Sequence, residues 1–366
     1  SPDIKADPAR LSPPSDSETN YRGKRPLGEG LRLGCMACAL GDVVVDVPPE
    51  SQVHKQVIRK RAEVAALDVD PVVRLHYVTV APPDLSRPTG DLERLLESLD
   101  GEWGLTGLTV HHSVLAGLQV ALRKAQWSVT VAIRHGRQLI AVWPGFRDNA
   151  YGIAFDVGST TIAGHLCNLS TGVVLASAGR MNPQIGFGED LMSRVSYIMM
   201  NPGGEVQLTT VVRQALDALI GELCQDASVD RAEVLELTLV GNPIMHHLVL
   251  GIDPRELGTA PFALATTAAL DTPATALGLN VHQAASVYTL PCIAGHVGAD
   301  AAAATLSEGP YRGEPLTLVV DVGTNAEIVL GNRHRLLAAS SPTGPAFEGA
   351  SISSGQRAAP GAIERV

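Results

Sequence analysis

A short strand-turn-strand unit occurs twice in this chain. Ile153-Ala-Phe-Asp-Val-Gly-Ser-Thr-Thr-Ile-Ala and Val319-Val-Asp-Val-Gly-Thr-Asn-Ala-Glu-Ile-Val share an apolar strand, Asp-Val-Gly, a few small polar residues and a second apolar strand. The two aspartates, Asp156 and Asp321, are separated by a whole domain's length of chain, which excludes a short tandem array and predicts two like halves facing each other. A lone D-x-G-S/T reads as an ordinary hairpin, but two copies, each flanked by strands, do not.

The chemistry of such a pair follows from its backbone. A tight turn with Gly at a position of positive φ aims successive backbone N–H groups into one concavity that suits phosphate oxygens. Ser and Thr hydroxyls add donors, and an Asp at the strand end holds Mg²⁺ directly or through its water shell. These roles fall to Asp156, Gly158, Ser159, Thr160 and Thr161 in the first loop, and to Asp321, Gly323, Thr324 and Asn325 in the second. Glu327, on the strand after the second loop, is placed to orient a water or a metal near a γ-phosphate. The P-loop sequence G-x-x-x-x-G-K-S/T does not occur, so phosphate is held another way.

Composition narrows the partners. The chain of 366 residues carries 28 Lys+Arg against 38 Asp+Glu, a formal net charge of −10, which argues against nucleic acid or an anionic membrane as the main partner. No stretch supplies the roughly 20 apolar residues of a spanning helix. The five cysteines, at 35, 38, 167, 224 and 292, are odd in number and scattered, so they predict a reducing, cytoplasmic compartment rather than a disulfide framework. Ser1 stands where a Met would start a gene product, and the expectation is a longer protein.

In chain order, residues 1–48 are polar and rich in Pro and Gly, with a β-branched strand at 42–47. Residues 49–70 form a charged linker. Residues 71–148 read as a small α+β domain: a strand at 72–80, a helix at 91–99 with its leucines on one face, a second helix capped by Ser113, and a hairpin turning at His135-Gly136. Beyond the turn-rich 144–149, residues 149–366 hold three strands within 152–178, a helix at 205–227, a strand at 234–240, helices at 244–250 and 298–307, and the second strand-turn-strand copy.

The paired loops resemble the phosphate motifs of the actin, sugar kinase and heat-shock-protein ATPase superfamily, in which two like subdomains close on ATP and Mg²⁺. More specifically, DVGSTTIAGHL, AGRMNPQIGFGEDLMSRVSYIMMNP, LVGNPIMHHLVLG, PCIAGHVGADAAAA, VVDVGTNAEIVLG and SPTGPAFEGA resemble the ATP-dependent reductive activators of corrinoid proteins. The resemblance implies an actin-like (ribonuclease H-like) α/β ATPase domain with duplicated β-β-β-α-type subdomains at 149–366, a middle α+β domain at 71–148, and a remnant of a β-grasp ferredoxin domain at 1–48. It also implies one-electron reduction of Co(II) to Co(I) on a corrinoid protein, coupled to ATP hydrolysis. In the full-length protein a two-iron two-sulfur cluster would supply the electron, with Cys35 aligned to the last of its four thiolate ligands. The short stretch after Asp321 implies an ATPase domain truncated at its C-terminal end. Exposed strand edges in the middle domain fit a homodimer; the electron donor is not implied.

Two rivals share the loops. A small-molecule kinase of the same superfamily predicts phosphate transfer to a metabolite and no cluster, and a nucleotide-regulated scaffold predicts indifference to changes at Asp321 and Glu327. Other residues have plainer readings. Glu189 and Asp190 lead into a helix and either favour its dipole or line the cleft. Adjacent His246 and His247 splay about 100° apart on a helix and read as structural. Asp300 reads as a helix-capping residue within reach of the nucleotide. Met199, Met200, Cys167, Cys224 and Cys292 read as core.

Overall fold

The computed structural model describes residues 10–14, 16–24, 32, 37–43, 69–188, 190–323 and 325–342. The chain divides into a smaller compact unit, reaching to Gln56, and a larger one, Val57–Ala358. In the smaller unit, helix α1 (Asp16–Lys24) carries Glu18, whose buried carboxylate accepts from Arg32 at 2.6 Å, and Leu11 bridges to Ala39. Cys38 is exposed, whereas Cys35 and most of the expected strand at 42–47 lie outside the described residues.

The larger unit begins with a four-stranded sheet. Strands β1 (Val73–Thr79), β2 (Thr109–Val110), β3 (Ser128–Arg134) and β4 (Gln138–Pro144) take the order β1-β3-β4-β2. Helices α2 (Asp91–Trp103) and α3 (His112–Lys124) cover it, and Leu95, Leu99, Leu118 and Leu122 meet Val129, Val131 and Leu139 in one core. The cap of α3 is His111, whose Nδ1 accepts from the N–H of Ser113, rather than Ser113 itself. An imidazole acceptor does here what a hydroxyl was expected to do.

Next comes a mixed six-stranded sheet in the order β7-β6-β5-β8-β10-β9. The meander β5 (Tyr151–Val157), β6 (Thr161–Asn168), β7 (Val174–Met181) leads through α4 (Leu191–Met200) and α5 (Gly204–Ala227) to β8 (Val234–Gly241), which returns parallel to β5. Helix α5 turns Leu208, Val212, Leu216, Leu219 and Leu223 to one side, a stripe at helical spacing that packs on the sheet. Helix α6 (Pro243–Leu250) follows β8, and β9 (Leu270–Pro273) and β10 (Ser286–Thr289) complete the far edge. Cys224 and Cys292 are buried as expected; Met199 and Met200, at 59% and 74% exposed, are not. They fall on the solvent side of α4, whose buried side is formed by Arg194, Val195 and Ile198.

After α7 (Ala299–Glu308) the second motif opens a three-stranded antiparallel sheet, β11 (Thr317–Val322), β12 (Asn325–Asn332) and β13 (Arg335–Pro342). Both copies of the repeat are therefore antiparallel strand pairs, β5–β6 and β11–β12. Among the described residues no helix is long and apolar enough to cross a membrane.

Candidate functional site

Both turns open onto one cleft of about 490 Å³. Asp156, Gly158, Ser159, Thr160 and Thr161 line it from the first motif, and Asp321, Gly323, Asn325 and Glu327 from the second. Every described member of the expected set is thus brought together, while Thr324 and Cys35 lie outside the described residues. The turns are closed alike: the N–H of Gly158 donates to the carbonyl of Thr161 and the N–H of Gly323 to that of Asn325, each at 2.9 Å.

The glycine of the first turn is required for a different reason than expected. Gly158 does not take a positive φ. A Cβ there would sit 2.7 Å from the Thr161 carbonyl oxygen, so the turn can close on itself only without a side chain. At Gly323 a Cβ would make ordinary contact with the Asn325 carbonyl.

Strand register sets the carboxylates. Asp321 lies directly opposite Glu327 across β11–β12, so both side chains leave the same face. In the first copy Asp156 lies opposite Ala163, and the cleft receives a second carboxylate from one side only. A fourth comes from Asp300, two residues into α7, whose Oδ1 also accepts from the N–H of Ala301 at 2.8 Å. The cap of α7 is Gly298, with no side-chain cap bond, so Asp300 bonds within the first turn instead of capping it as expected, and it reaches the cleft. Helix α7 is seated by Gly298, where a Cβ would lie 2.6 Å from both the Gly241 carbonyl oxygen and the Asn242 Cα.

These acids crowd one another. Burial, followed by the nearby Asp156 and Asp321, pushes the Asp300 carboxyl up to about 6. Burial, with Asp300 and Asp321 adding like charge, pushes Glu327 up to about 7. No Lys, Arg or His stands among the described residues lining the cleft. Nor do three His, Cys, Asp or Glu side chains among the described residues close into a metal cage. The donor set fits a cation that arrives with most of its ligands, as Mg²⁺ does on a polyphosphate, held through one or two carboxylates and its own waters.

The other expected candidates separate from the cleft. Asp190 is the N-cap of α4, accepting from the N–H and Oγ of Ser193 at 2.7 and 2.9 Å, and Glu189 lies outside the described residues. His246 and His247 are buried in α6; the His247 Nδ1 bonds the Pro243 carbonyl at 2.8 Å and its Nε2 accepts from the N–H of Ala265. That is the structural role expected of His247.

Three family models match consecutive segments: the RACo linker region over residues 62–149, the RACo middle region over 151–312, and the C-terminal domain of RACo, the ASKHA domain, over 315–366. The chain belongs to the RACo family. Among curated relatives, the corrinoid activation enzyme RamQ of Eubacterium limosum is 31% identical over 311 residues, 82% of this chain and 50% of the relative. The Co(II) methylated amine-specific corrinoid protein reductase of Methanosarcina barkeri is 30% identical over 232 residues, 58% of this chain and 40% of the relative. The chain thus spans half or less of the curated relatives it matches. A solved reductive activator for a corrinoid, iron-sulfur protein aligns with all of this chain and 59% of its own, at 30% identity and a TM-score of 0.75. The mixed α/β architecture with an actin-like C-terminal domain is therefore that of RACo.

Proposed function

We propose that this chain is the nucleotide-binding part of a reductive activator of corrinoid proteins. In this reading residues 149–366 close on ATP with Mg²⁺, residues 71–148 form the small domain before it, and the complete protein reduces Co(II) to Co(I) on its corrinoid partner. The observation that carries the nucleotide assignment is the convergence of two Asp-x-Gly turns and four carboxylates on one cleft with no basic residue in its described lining. A bare phosphate would be repelled there, whereas a metal-bound polyphosphate is matched by both the turns and the acids.

Each residue has a role in that reaction. Asp156 and Asp321, at the ends of matching strands, would hold the cation through its waters. Ser159, Thr160, Thr161 and Thr324 would offer hydroxyls and Asn325 its amide, while Gly158 and Gly323, whose own N–H groups close the turns, let the backbone come near phosphate oxygens. Glu327, whose proton affinity is raised to about 7, orients the attacking water and takes its proton as ATP and water become ADP and phosphate. Bound with the nucleotide, Mg²⁺ supplies charge neutralisation on the transferred phosphoryl group. Cys35 would provide one thiolate of a two-iron two-sulfur cluster in the complete protein, a group that would supply the single electron. The relatives' names support the corrinoid protein as partner, and a reducing cytoplasm and a homodimer complete the reading.

The deciding experiment is ATP hydrolysis by the complete gene product with and without a corrinoid protein in its Co(II) state. Stimulation by Co(II) and none by the methylated state is expected. Hydrolysis that ignores the corrinoid protein would remove the activator assignment, and no hydrolysis at all would remove the ATPase.

A further inference from the structure

A buried charge lies directly behind the first turn. Arg194 of α4 is 0% exposed and forms no ion pair among the described residues; every described acceptor around it is neutral. Its Nε donates to the Gly188 carbonyl at 3.0 Å, and one terminal nitrogen lies 3.2 Å from the Gln184 Oε1 and 3.5 Å from the Met245 Sδ. The other donates to the Ser159 carbonyl at 2.5 Å. Asp190 attracts it from the helix cap, but that carboxylate is engaged with Ser193. Burial pulls the guanidinium down to about 10. An unpaired buried charge of this kind is expensive to keep.

Asn182 stands beside it, 1% exposed, its amide nitrogen donating to the Gly158 carbonyl at 2.8 Å. A trans peptide unit is planar and carries its C=O and N–H on opposite sides. Fixing the carbonyls of Gly158 and Ser159 on Asn182 and Arg194 therefore turns the N–H groups of Ser159 and Thr160 the other way, and both residues line the cleft. A cation bonded to the carbonyl also polarises the unit, so its N–H becomes the stronger donor.

We propose that Arg194, aided by Asn182, is a positioning residue that aims the 158–161 turn at the phosphates of a metal-bound nucleotide and supplies, from behind, the positive potential that an acidic cleft lacks. This rests on the nucleotide reading above. It gives the buried guanidinium a partner, since its counter-charge arrives with the ligand.

The test is calorimetric MgATP binding to the complete protein, paired with thermal melting, for wild type, Arg194→Met and Arg194→Lys. Losing a charge-assisted contact should weaken MgATP about 10- to 100-fold in the methionine variant. The lysine variant loses the same Gly188 and Gln184 contacts and should melt lower, yet keep most of the affinity because it keeps the charge. Affinity that falls in both variants in step with melting would reduce Arg194 to a packing role, and a folded methionine variant that binds as wild type does would end the proposal. If the methionine variant does not fold, Asn182→Asp decides: it still caps Gln184 N but cannot donate to Gly158, and unchanged MgATP affinity overturns the inference. A wild-type protein that does not bind MgATP overturns the nucleotide reading instead, and is told apart by that result alone.

Discussion

Glu327 faces Asp321 across a strand pair and Asp300 across the cleft, so its ionisation is opposed by two like charges as well as by burial. Replacing it by Gln keeps the shape and removes the base. ATP hydrolysis by the complete protein should fall about 100-fold with MgATP affinity little changed. In wild type the kcat/KM profile should rise with pH through the value of about 7 at which the free carboxyl ionises, and Glu327→Gln should lose that limb. The same group has a stability signature. Its folded pKa is raised from 4.5, so its contribution is fully present below 4.5 and is lost as pH rises through about 7. His76, His246, His247 and His282 are all lowered by burial and pull the other way, losing stability as pH falls below their ordinary value of 6.5. The carboxylate effect is therefore read as a difference: Glu327→Gln should melt higher than wild type at pH 8, and the gain should shrink as pH falls and vanish below 4.5. Asp156, Asp321 and Glu327 were legible in the sequence because each sits at a fixed offset from a strand-end glycine. Asp300 was not assigned to the site because only the docking of α7 against Gly241 and Asn242, a non-local contact, carries it to the cleft.

Local pattern also decided which elements could be read. The β5–β6 and β11–β12 pairs announce themselves by apolar strands around Asp-Val-Gly, and α5 by its long apolar stripe. Helix α4 was expected after Glu189 and Asp190, but not its inward side, which is built around a buried arginine that reads as a surface residue when only the chain is seen. The short strands β9 and β10 owe their existence to pairing with each other and with β8 rather than to their own four residues. The first turn offers a direct test of the close approach that defines it. Gly158→Ala would place a methyl 2.7 Å from the Thr161 carbonyl oxygen, forcing the turn open, with no strained φ to be relieved. MgATP affinity should drop about tenfold or more, measured by calorimetry, while the melting temperature changes little because the turn lies at the cleft rather than in the core. A variant that binds normally would show that the turn does not need its observed closure. Removing the α4 cap with Asp190→Ala should instead cost about 1 kcal/mol of stability, seen in urea unfolding, and should loosen the helix that carries Arg194.

At the scale of the whole larger unit, a buried charged cluster joins the small sheet to the six-stranded sheet. Arg134 at the end of β3 makes a two-pronged contact with Glu236 of β8, at 2.7 and 2.9 Å, and reaches Asp271 of β9 at 2.5 Å. Around it Val73, Ile140, Leu235 and four alanines form an apolar cluster, against which Leu75, Trp143 and Leu169 pack. Glu236 and Asp271 together keep the guanidinium charged well above its ordinary range. Arg134→Met should therefore destabilise by about 3–5 kcal/mol, chiefly because it leaves Glu236 buried and unpaired. The double variant Arg134→Met with Glu236→Leu should recover much of that loss, since it removes the stranded carboxylate as well. Urea unfolding of the four proteins in the cycle reads this directly. Additive losses would show that the two residues stabilise their own domains separately, whereas the expected recovery shows that Arg134 and Glu236 stabilise the joint as a coupled pair.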